Sequence, residues 1–358
     1  MGCISMELTE LGMDSWFKNH ARESCSAEQR IARVTVVARG QYTVRSEHGD
    51  VPAKATRKFM KATTSSIDMA CVGDWVCMDN QDSEEYTSIH AVLPRKSFLR
   101  RKSAGKSTKL QMIAANIDVI FIVQSCHYDF NVSRLERYLV MATEGHVVPV
   151  IILTKTDLVS TDTLQQLITE IRDEGITARI IALSNVTGTG LNQVKESMER
   201  GKTYCLVGSS GVGKSTLINQ LRGDDTLRTQ TVSTSGEGRH TTVRRQLFVL
   251  EQGALLIDTP GMREVGILAV NDGMDDNFDD IHDLALQCRF TNCGHGNVRG
   301  CAVLQAIQEG ALHLERYKNY VKLKTESEIN ENLNSHKGKK NRSSSHVIHH
   351  VRKRTNRS

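Results

Sequence analysis

The 358-residue sequence has no run of about 18 or more apolar residues, so no transmembrane helix is expected in it. Its first residues, Met1-Gly2-Cys3-Ile4-Ser5-Met6, have neither the basic leader nor the apolar stretch of a secretory signal. A myristoylation pattern is missing too, because Met6 stands where Ser or Thr is required. These absences point to a cytoplasmic protein. Acidic residues are lacking from Lys337 to Ser358, where Lys337, Lys339, Lys340, Arg342, Arg352, Lys353, Arg354 and Arg357 carry positive charge. Such a segment cannot bury enough apolar surface to fold alone, so residues 331–358 are expected to form a basic disordered tail suited to phosphate backbones.

The nine cysteines are odd in number and have no disulfide-framework spacing. Cys3, Cys25, Cys71, Cys77, Cys126 and Cys205 are scattered and read as small buried hydrophobes. Cys288, Cys293 and Cys301 are clustered, which in a reducing compartment indicates a metal site. At about 100–200 residues per domain the length allows two or three domains, and a hydrophobic fraction of 39% supplies their cores.

Residues 1–30 read as a weakly ordered extension with one helical patch near Leu8–Phe17. From Ile31 to Arg95 short β-branched runs such as Arg33–Val37, Gln41–Val44 and Trp75–Met78 alternate with turn signals at Gly40, Gly49 and Gly73. Residues 31–95 are therefore expected to form a small β-barrel, of OB or SH3 type. A basic connector, Arg95–Lys102, reads as either a solvated linker or a nucleic-acid contact. From Ile117 continuous apolar runs alternate with amphipathic segments, the pattern of a buried parallel sheet flanked by helices. The strands are Ile117–Gln124, Val147–Leu153, Ala178–Leu183, Thr203–Val207 and Ala254–Ile257, the last with an antiparallel partner at Gln246–Leu250. Helices are expected over Ser133–Glu144, Asp162–Glu174, Leu191–Arg200 and Lys214–Arg222. The fold class is multidomain: β-barrel, α/β domain over 96–265, and a small α-rich metal-binding domain over 266–330 with a helix from Cys301 towards Leu323.

Gly208-Ser209-Ser210-Gly211-Val212-Gly213-Lys214-Ser215 fits G-x-x-x-x-G-K-[ST] between an apolar strand and a helix, the context that gives the motif its meaning. Loop amides and the helix N-terminus would surround phosphates, Lys214 would reach the β- and γ-phosphates, and Ser215 would supply an oxygen to Mg²⁺. Thr216, next in the helix, completes this expected nucleotide-binding set. Asp258-Thr259-Pro260-Gly261 ends another apolar strand, where Asp258 can hold Mg²⁺ through water and the Gly261 amide can meet the γ-phosphate. Between them lies Gly238-Arg239-His240-Thr241-Thr242, in which Thr241 or Thr242 offers a second Mg²⁺ ligand.

Thr154-Lys155-Thr156-Asp157 has the form of the guanine-reading motif Asn-Lys-x-Asp. The Asp157 carboxylate would accept from guanine N1–H and N2–H₂, a pair adenine cannot offer, while the Lys155 stem packs on the base. Thr154 replaces the usual Asn, so one polar contact is altered. Ala182-Leu183-Ser184-Asn185 resembles the loop that backs the base. These base-reading residues precede the phosphate loop, the inverse of an ordinary guanine-nucleotide domain, and a circular permutation is inferred. The γ-phosphate loop then becomes the exit towards the metal domain, which nucleotide state should move. There Cys288-x₄-Cys293-x-His295-x₅-Cys301 offers three thiolates and an imidazole, a closed tetrahedral set for structural Zn²⁺.

After about residue 30 the sequence resembles the bacterial ribosome small-subunit-dependent GTPase A family. The likeness rests on the β-rich segment, Gln111–Asp118, the permuted motifs and the C-x₄-C-x-H-x₅-C site. It implies an OB-type barrel, a permuted G domain and a zinc domain. It also implies a monomeric late 30S maturation factor that binds GTP, GDP and 16S rRNA, with small-subunit-stimulated hydrolysis. Met262 follows Gly261, where many GTPases carry a water-orienting Gln, and in line with the family His240 is expected to take that role. Two other readings stay open: a permuted GTPase of the large subunit, and an RNA-binding module with little turnover. For RNA the expected surfaces are the barrel, the Arg95–Lys102 connector and the tail. The barrel is poor in aromatics, with Tyr42, Phe59 and Trp75 among few, so phosphate contact should outweigh stacking.

Overall fold

The computed structural model describes residues 7–38, 40–63, 65–80, 86–102, 110–127, 130–223, 245–258, 277–290, 293–295 and 298–325. They belong to two compact units, one of residues 1–101 and 110–265, the other of residues 102–109 and 266–358.

In the first unit a 3₁₀ turn at Leu8–Leu11 and helix α1 (Ser15–Ser24) precede the barrel. The expectation of a weakly ordered N-terminus is corrected for these residues. Leu11, Met13, Phe17 and Ala21 are buried in the unit's main core, and the Phe17 ring lies 5.8 Å from Trp75. The Asp14 carboxylate accepts from the Phe17 amide at 3.2 Å and caps the helix. Just past α1, Cys25 forms a disulfide with Cys77, with Cα atoms 5.5 Å apart. That corrects the reading of these two as plain hydrophobes, whereas Cys71, Cys126 and Cys205 are buried thiols outside any disulfide.

Strands β1 (Gln29–Ala38), β2 (Gln41–Ser46), β3 (Gly49–Ala55), β4 (Trp75–Asp79) and β5 (Thr87–Val92) form the barrel, with helix α2 (Arg57–Ala62) between β3 and β4. Their order is β1-β2-β3-β5-β4, and β4 returns to β1 through Gln29↔Asp79 to Arg33↔Trp75. Only β3 and β5 run parallel. A closed five-stranded barrel in this order is the OB arrangement, which decides between the two barrel types. Ala32, Val34, Val44, Val76, Met78 and Ile89 fill its interior. A register shift between Val34 and Val36 bends β1, so its first half closes the barrel and its second half pairs with a strand of the α/β sheet.

The basic connector also departs from expectation. Its strand β6 (Phe98–Lys102) pairs with β7 (Leu110–Ala115) in a two-stranded ribbon. Arg95 forks onto Asp74 through two 2.8 Å bonds, and Arg100 pairs with Glu144. Asp74 has no exposed surface, so its charge is tolerated only with a cation beside it. These two arginines are internal ties, not part of a solvated linker.

The α/β sheet has the order β10-β9-β8-β11-β13-β12 and continues into β1. Strands β8 (Val119–Ser125), β9 (Val148–Thr154), β10 (Arg179–Ala182), β11 (Thr203–Val207) and β13 (Leu255–Asp258) are parallel; β12 (Arg245–Val249) is the antiparallel partner of β13. Helices α3 (Val132–Glu144), α4 (Thr161–Asp173), α5 (Leu191–Glu196) and α6 (Lys214–Arg222) connect them. Alternate residues of one strand serve opposite cores. Ile120, Ile122, Cys205 and Val207 pack with Leu135 and Leu139 of α3, while Phe121, Val123, Tyr204 and Leu206 pack with Val194 and Leu217. The expected helix from Leu191 is shorter than foreseen, ending at Glu196.

In the second unit α7 (Asp279–Leu286) and α8 (Ala302–Gln308) are followed by α9 over residues 314–325. One continuous helix from Cys301 was expected. The chain breaks at Gly310, whose φ of 77° no helix interior accommodates. Arg316 forks onto Asp280 at 2.8 and 2.7 Å and lies over the Phe278 ring.

Arg33 joins the parts of the first unit. It is 1% exposed. Its Nε donates to the Gly73 carbonyl at 3.1 Å, its Nη2 to the Asn116 carbonyl and Thr203 Oγ1 at 2.9 Å each, and its Nη1 to the Leu11 carbonyl. Burial lowers its pKa to about 10, against the pull of Asp118 and Asp74. Arg33→Met should destabilise the protein by about 3 kcal/mol or more, since it leaves several buried acceptors unpaired. Urea denaturation tests this, and a loss below about 1 kcal/mol would contradict the role assigned to Arg33.

Candidate functional site

β11 ends at Val207, and residues 208–213 form the loop that leads into α6 at Lys214. Gly208 has φ 144°, and a Cβ there would stand 2.1 Å from the Val123 carbonyl oxygen. Gly213 has φ 98°, and its Cβ would meet Asn185 Nδ2 at 2.6 Å. Both positions need glycine because backbone and neighbour approach so closely. Lys214 Nζ donates to the carbonyls of Gly208, at 2.7 Å, and Ser209, so its ammonium lies over the loop. Ser215 and Thr216 occupy the first turn of α6, where unbonded amides favour an anion.

At the end of β9, Thr154 is fully buried and its Oγ1 lies 2.6 Å from the Val212 carbonyl and 3.2 Å from that of Gln124. Lys155 has φ 60° and leads into a 3₁₀ turn at Thr156–Leu158 that presents Asp157. Ser184 Oγ donates to Asp157 Oδ1 at 2.5 Å and accepts from the amides of Val186 and Thr187 at 3.2 and 3.1 Å. The hydroxyl thereby orients the carboxylate. Asn185 Nδ2 donates to the Gly213 carbonyl at 3.1 Å, and its own carbonyl accepts from Gln220 Nε2 of α6 at 2.8 Å.

Three groups of residues far apart in sequence thus meet at one edge of the sheet. In a parallel sheet the C-terminal ends of strands open on the same side, so β9, β10, β11 and β13 all deliver their loops there. The chain visits the base-reading loops first and the phosphate loop second, yet direct hydrogen bonds tie the two. Asp258 ends β13 beside β11. Burial raises its pKa above the usual 3.8, and Arg222 and Lys214 only partly offset that. Thr259, Gly261, Met262, His240, Thr241 and Thr242 lie outside the described residues, as does the tail from residue 326.

Two participants had no sequence signal. Gln220 touches the base-side loop from a helix, and Arg134 of α3 donates to Ser209 Oγ. Both contacts span long separations and use residue types common on any helix surface. Only the fold reveals them.

In the second unit Cys288, Cys293, His295 and Cys301 bring their ligand atoms within 4.8 Å of one another. His295 Nδ1 lies 3.6 Å from Cys288 Sγ and 3.5 Å from Cys301 Sγ, and the two sulfurs are 3.9 Å apart. A tetrahedral ion with Zn–S of about 2.3 Å and Zn–N of about 2.0 Å has edges of about 3.8 and 3.5 Å, so the four residues fit a metal ion. Cys301 also caps α8, accepting from the Leu304 amide, and His295 is fixed by the Tyr317 hydroxyl on its carbonyl at 3.1 Å. Burial, with Lys324, lowers the His295 pKa and favours the neutral imidazole that a metal needs.

The raised pKa of Asp258 carries a linkage consequence. Its ionised form is less favourable folded than unfolded, so at neutral pH it costs the nucleotide-free protein stability. Asp258→Asn should therefore be the more stable form at pH 7.5, by roughly 2 °C in Tm, with the difference shrinking as pH falls towards 3.8. Calorimetry at several pH values checks this. A variant less stable than the parent throughout would contradict it.

Comparison with known proteins agrees with this arrangement. A family model described as RsgA GTPase matches residues 92–268, and one described as 50S ribosome-binding GTPase matches residues 203–340. The small ribosomal subunit biogenesis GTPase RsgA 2 of Vibrio vulnificus is 38% identical over 324 residues, 90% of this chain and 88% of that protein. The protein of the same description from Lactiplantibacillus plantarum is 41% identical over 83% of each chain. The crystal structure of YjeQ from Thermotoga maritima superposes with TM-score 0.61 at 26% identity, covering 83% of this chain and 98% of that one. The crystal structure of YloQ, described as a circularly permuted GTPase, shares the fold with TM-score 0.57 at 23% identity. With permuted motifs, an OB-type barrel and relatives of this similarity along most of its length, the chain belongs to the RsgA GTPase family.

Proposed function

We propose that this protein hydrolyses GTP to GDP and phosphate during late maturation of the small ribosomal subunit, that the subunit stimulates turnover, and that hydrolysis releases the protein from the particle. The observation that carries this reading is the pair of bonds Thr154–Val212 and Asn185–Gly213, which make a base-reading loop and a phosphate loop into one pocket. The relatives named small ribosomal subunit biogenesis GTPase supply the particle.

In this mechanism Asp157, held by Ser184, accepts from N1–H and N2–H₂ of guanine while the Lys155 stem lies along the base. Amides of residues 208–216 surround the phosphates. Lys214 leaves its carbonyl partners for the β- and γ-phosphates and neutralises charge as water attacks in line. Ser215, Asp258 and Thr241 or Thr242 would hold Mg²⁺, which would supply charge stabilisation when bound with GTP. His240 positions the attacking water, a role Met262 cannot take, and the Gly261 amide meets the γ-phosphate. The barrel and the basic tail contact 16S rRNA phosphates, and the protein acts as a cytoplasmic monomer. The match to a 50S ribosome-binding GTPase model over residues 203–340 supports a second reading, action on the large subunit.

Turnover of GTP and ATP, alone and with purified 30S or 50S subunits, tests the proposal. GTP hydrolysis should rise with 30S particles only. Lys214→Ala should lose on the order of a hundredfold or more. His240→Ala should keep GTP binding and lose the stimulation. Stimulation by 50S alone would favour the second reading, equal use of ATP would remove guanine selectivity, and unchanged turnover in His240→Ala would remove that residue from the mechanism.

The Cys288, Cys293, His295 and Cys301 cluster is assigned to structural Zn²⁺, since four protein ligands leave no open position for chemistry. Elemental analysis should find about one zinc per chain, and Cys301→Ser should lose it and lower the melting temperature of the second unit. An intact unit that retains its stability without metal would contradict the assignment.

A further inference from the structure

Thr154 occupies the place where the guanine-reading motif usually carries Asn. A side-chain amide has two N–H donors, enough to serve the backbone and the base together; a hydroxyl has one. Oγ1 of Thr154 faces the carbonyl oxygens of Val212 at 2.6 Å and Gln124 at 3.2 Å, and the residue has no exposed surface. Both neighbours are acceptors, so the single proton is committed to the backbone whichever of them it meets. The oxygen can then only accept. On its major-groove edge guanine offers only acceptors, N7 and O6. An accepting hydroxyl gains nothing from that edge.

The opposite edge has its reader in place. Asp157 is turned by Ser184, whose hydroxyl is itself held by two backbone amides. The Asn185–Gly213 bond also commits one N–H of the neighbouring amide group to the phosphate loop. Among the described residues of this pocket, the Thr154 hydroxyl gives its proton to a backbone carbonyl, the Ser184 hydroxyl gives its own to Asp157, and the Asp157 carboxylate is the acceptor offered to the base.

We propose that this protein reads guanine without using N7, and that Thr154 is a positioning residue, tying β9 to the phosphate loop in place of ligating the base. The inference rests on the guanine-nucleotide reading of the same pocket. It widens the ligand class to purine nucleotides that keep donors at N1 and N2, whatever stands at position 7.

Calorimetric titration of the full chain with GTP, ATP, inosine triphosphate and 7-deaza-GTP tests it. 7-Deaza-GTP should bind within about threefold of GTP, whereas inosine triphosphate, which lacks the N2 amino group, should bind more weakly by about tenfold. Thr154→Val, which removes the tie, should weaken GTP and 7-deaza-GTP alike and leave their ratio unchanged. A parent protein that binds 7-deaza-GTP more than about threefold below GTP overturns the inference while leaving guanine selectivity intact. GTP binding no better than ATP would overturn the guanine reading itself, and this inference with it. The comparison in the parent protein decides the matter even if the variant does not fold.

Discussion

Arg33 brings a positive charge into the packed interior of the first unit, a placement that burial opposes and that its surrounding acceptors make tolerable. Those acceptors come from the N-terminal turn, the Gly73 turn of the barrel, the Asn116 corner and the first residue of β11. No two are neighbours in sequence. A guanidinium satisfied only by four separate segments makes their mutual arrangement a condition of the fold, because displacing any one leaves a buried donor unpaired. β1, which carries Arg33, also runs on into the α/β sheet beside β12. Barrel and nucleotide domain therefore share one continuous strand ladder as well as one buried charge.

From that frame the site follows by topology. β11 starts at Thr203, under Arg33, and ends at the phosphate loop; β13 lies beside it and ends at Asp258. β9 and β10 stand further along the same sheet and deliver Thr154, Asp157, Ser184 and Asn185 to the same edge. A sheet has no memory of the order in which its strands were laid down, so a permuted chain can build the same pocket. The bonds from Thr154 and Asn185 to the phosphate loop make that equivalence physical: the two recognition elements are not merely close but mutually supported.

Much of this was legible in the sequence where a local pattern carried the information. β11 and α6 were read to the residue, because an apolar run, a glycine-rich loop and a helix follow one another without interruption. The β12–β13 hairpin was equally plain. What failed was non-local. The N-terminal segment reads as weakly ordered, with one helical patch near Leu8–Phe17, and it is ordered by Trp75 and the core beneath it. Arg95 and Arg100 looked like solvent-facing charge until their carboxylates, distant in sequence, were in view. Cys25 and Cys77, 52 residues apart, carry no spacing signal that could have paired them. At the site the types were readable and their partners were not. Thr154 looked like a weakened guanine motif, and the structure gives its hydroxyl a backbone partner 58 positions away.

The central claim is that loops inverted in chain order form one guanine-nucleotide pocket. A crystal structure of the full chain with a non-hydrolysable GTP analogue and Mg²⁺ tests it most directly. The guanine N1/N2 edge should lie on Asp157 and the phosphates within residues 208–216, with Lys214 withdrawn from the Gly208 and Ser209 carbonyls. A nucleotide whose phosphates sit in the loop while its base lies away from Asp157 would contradict it.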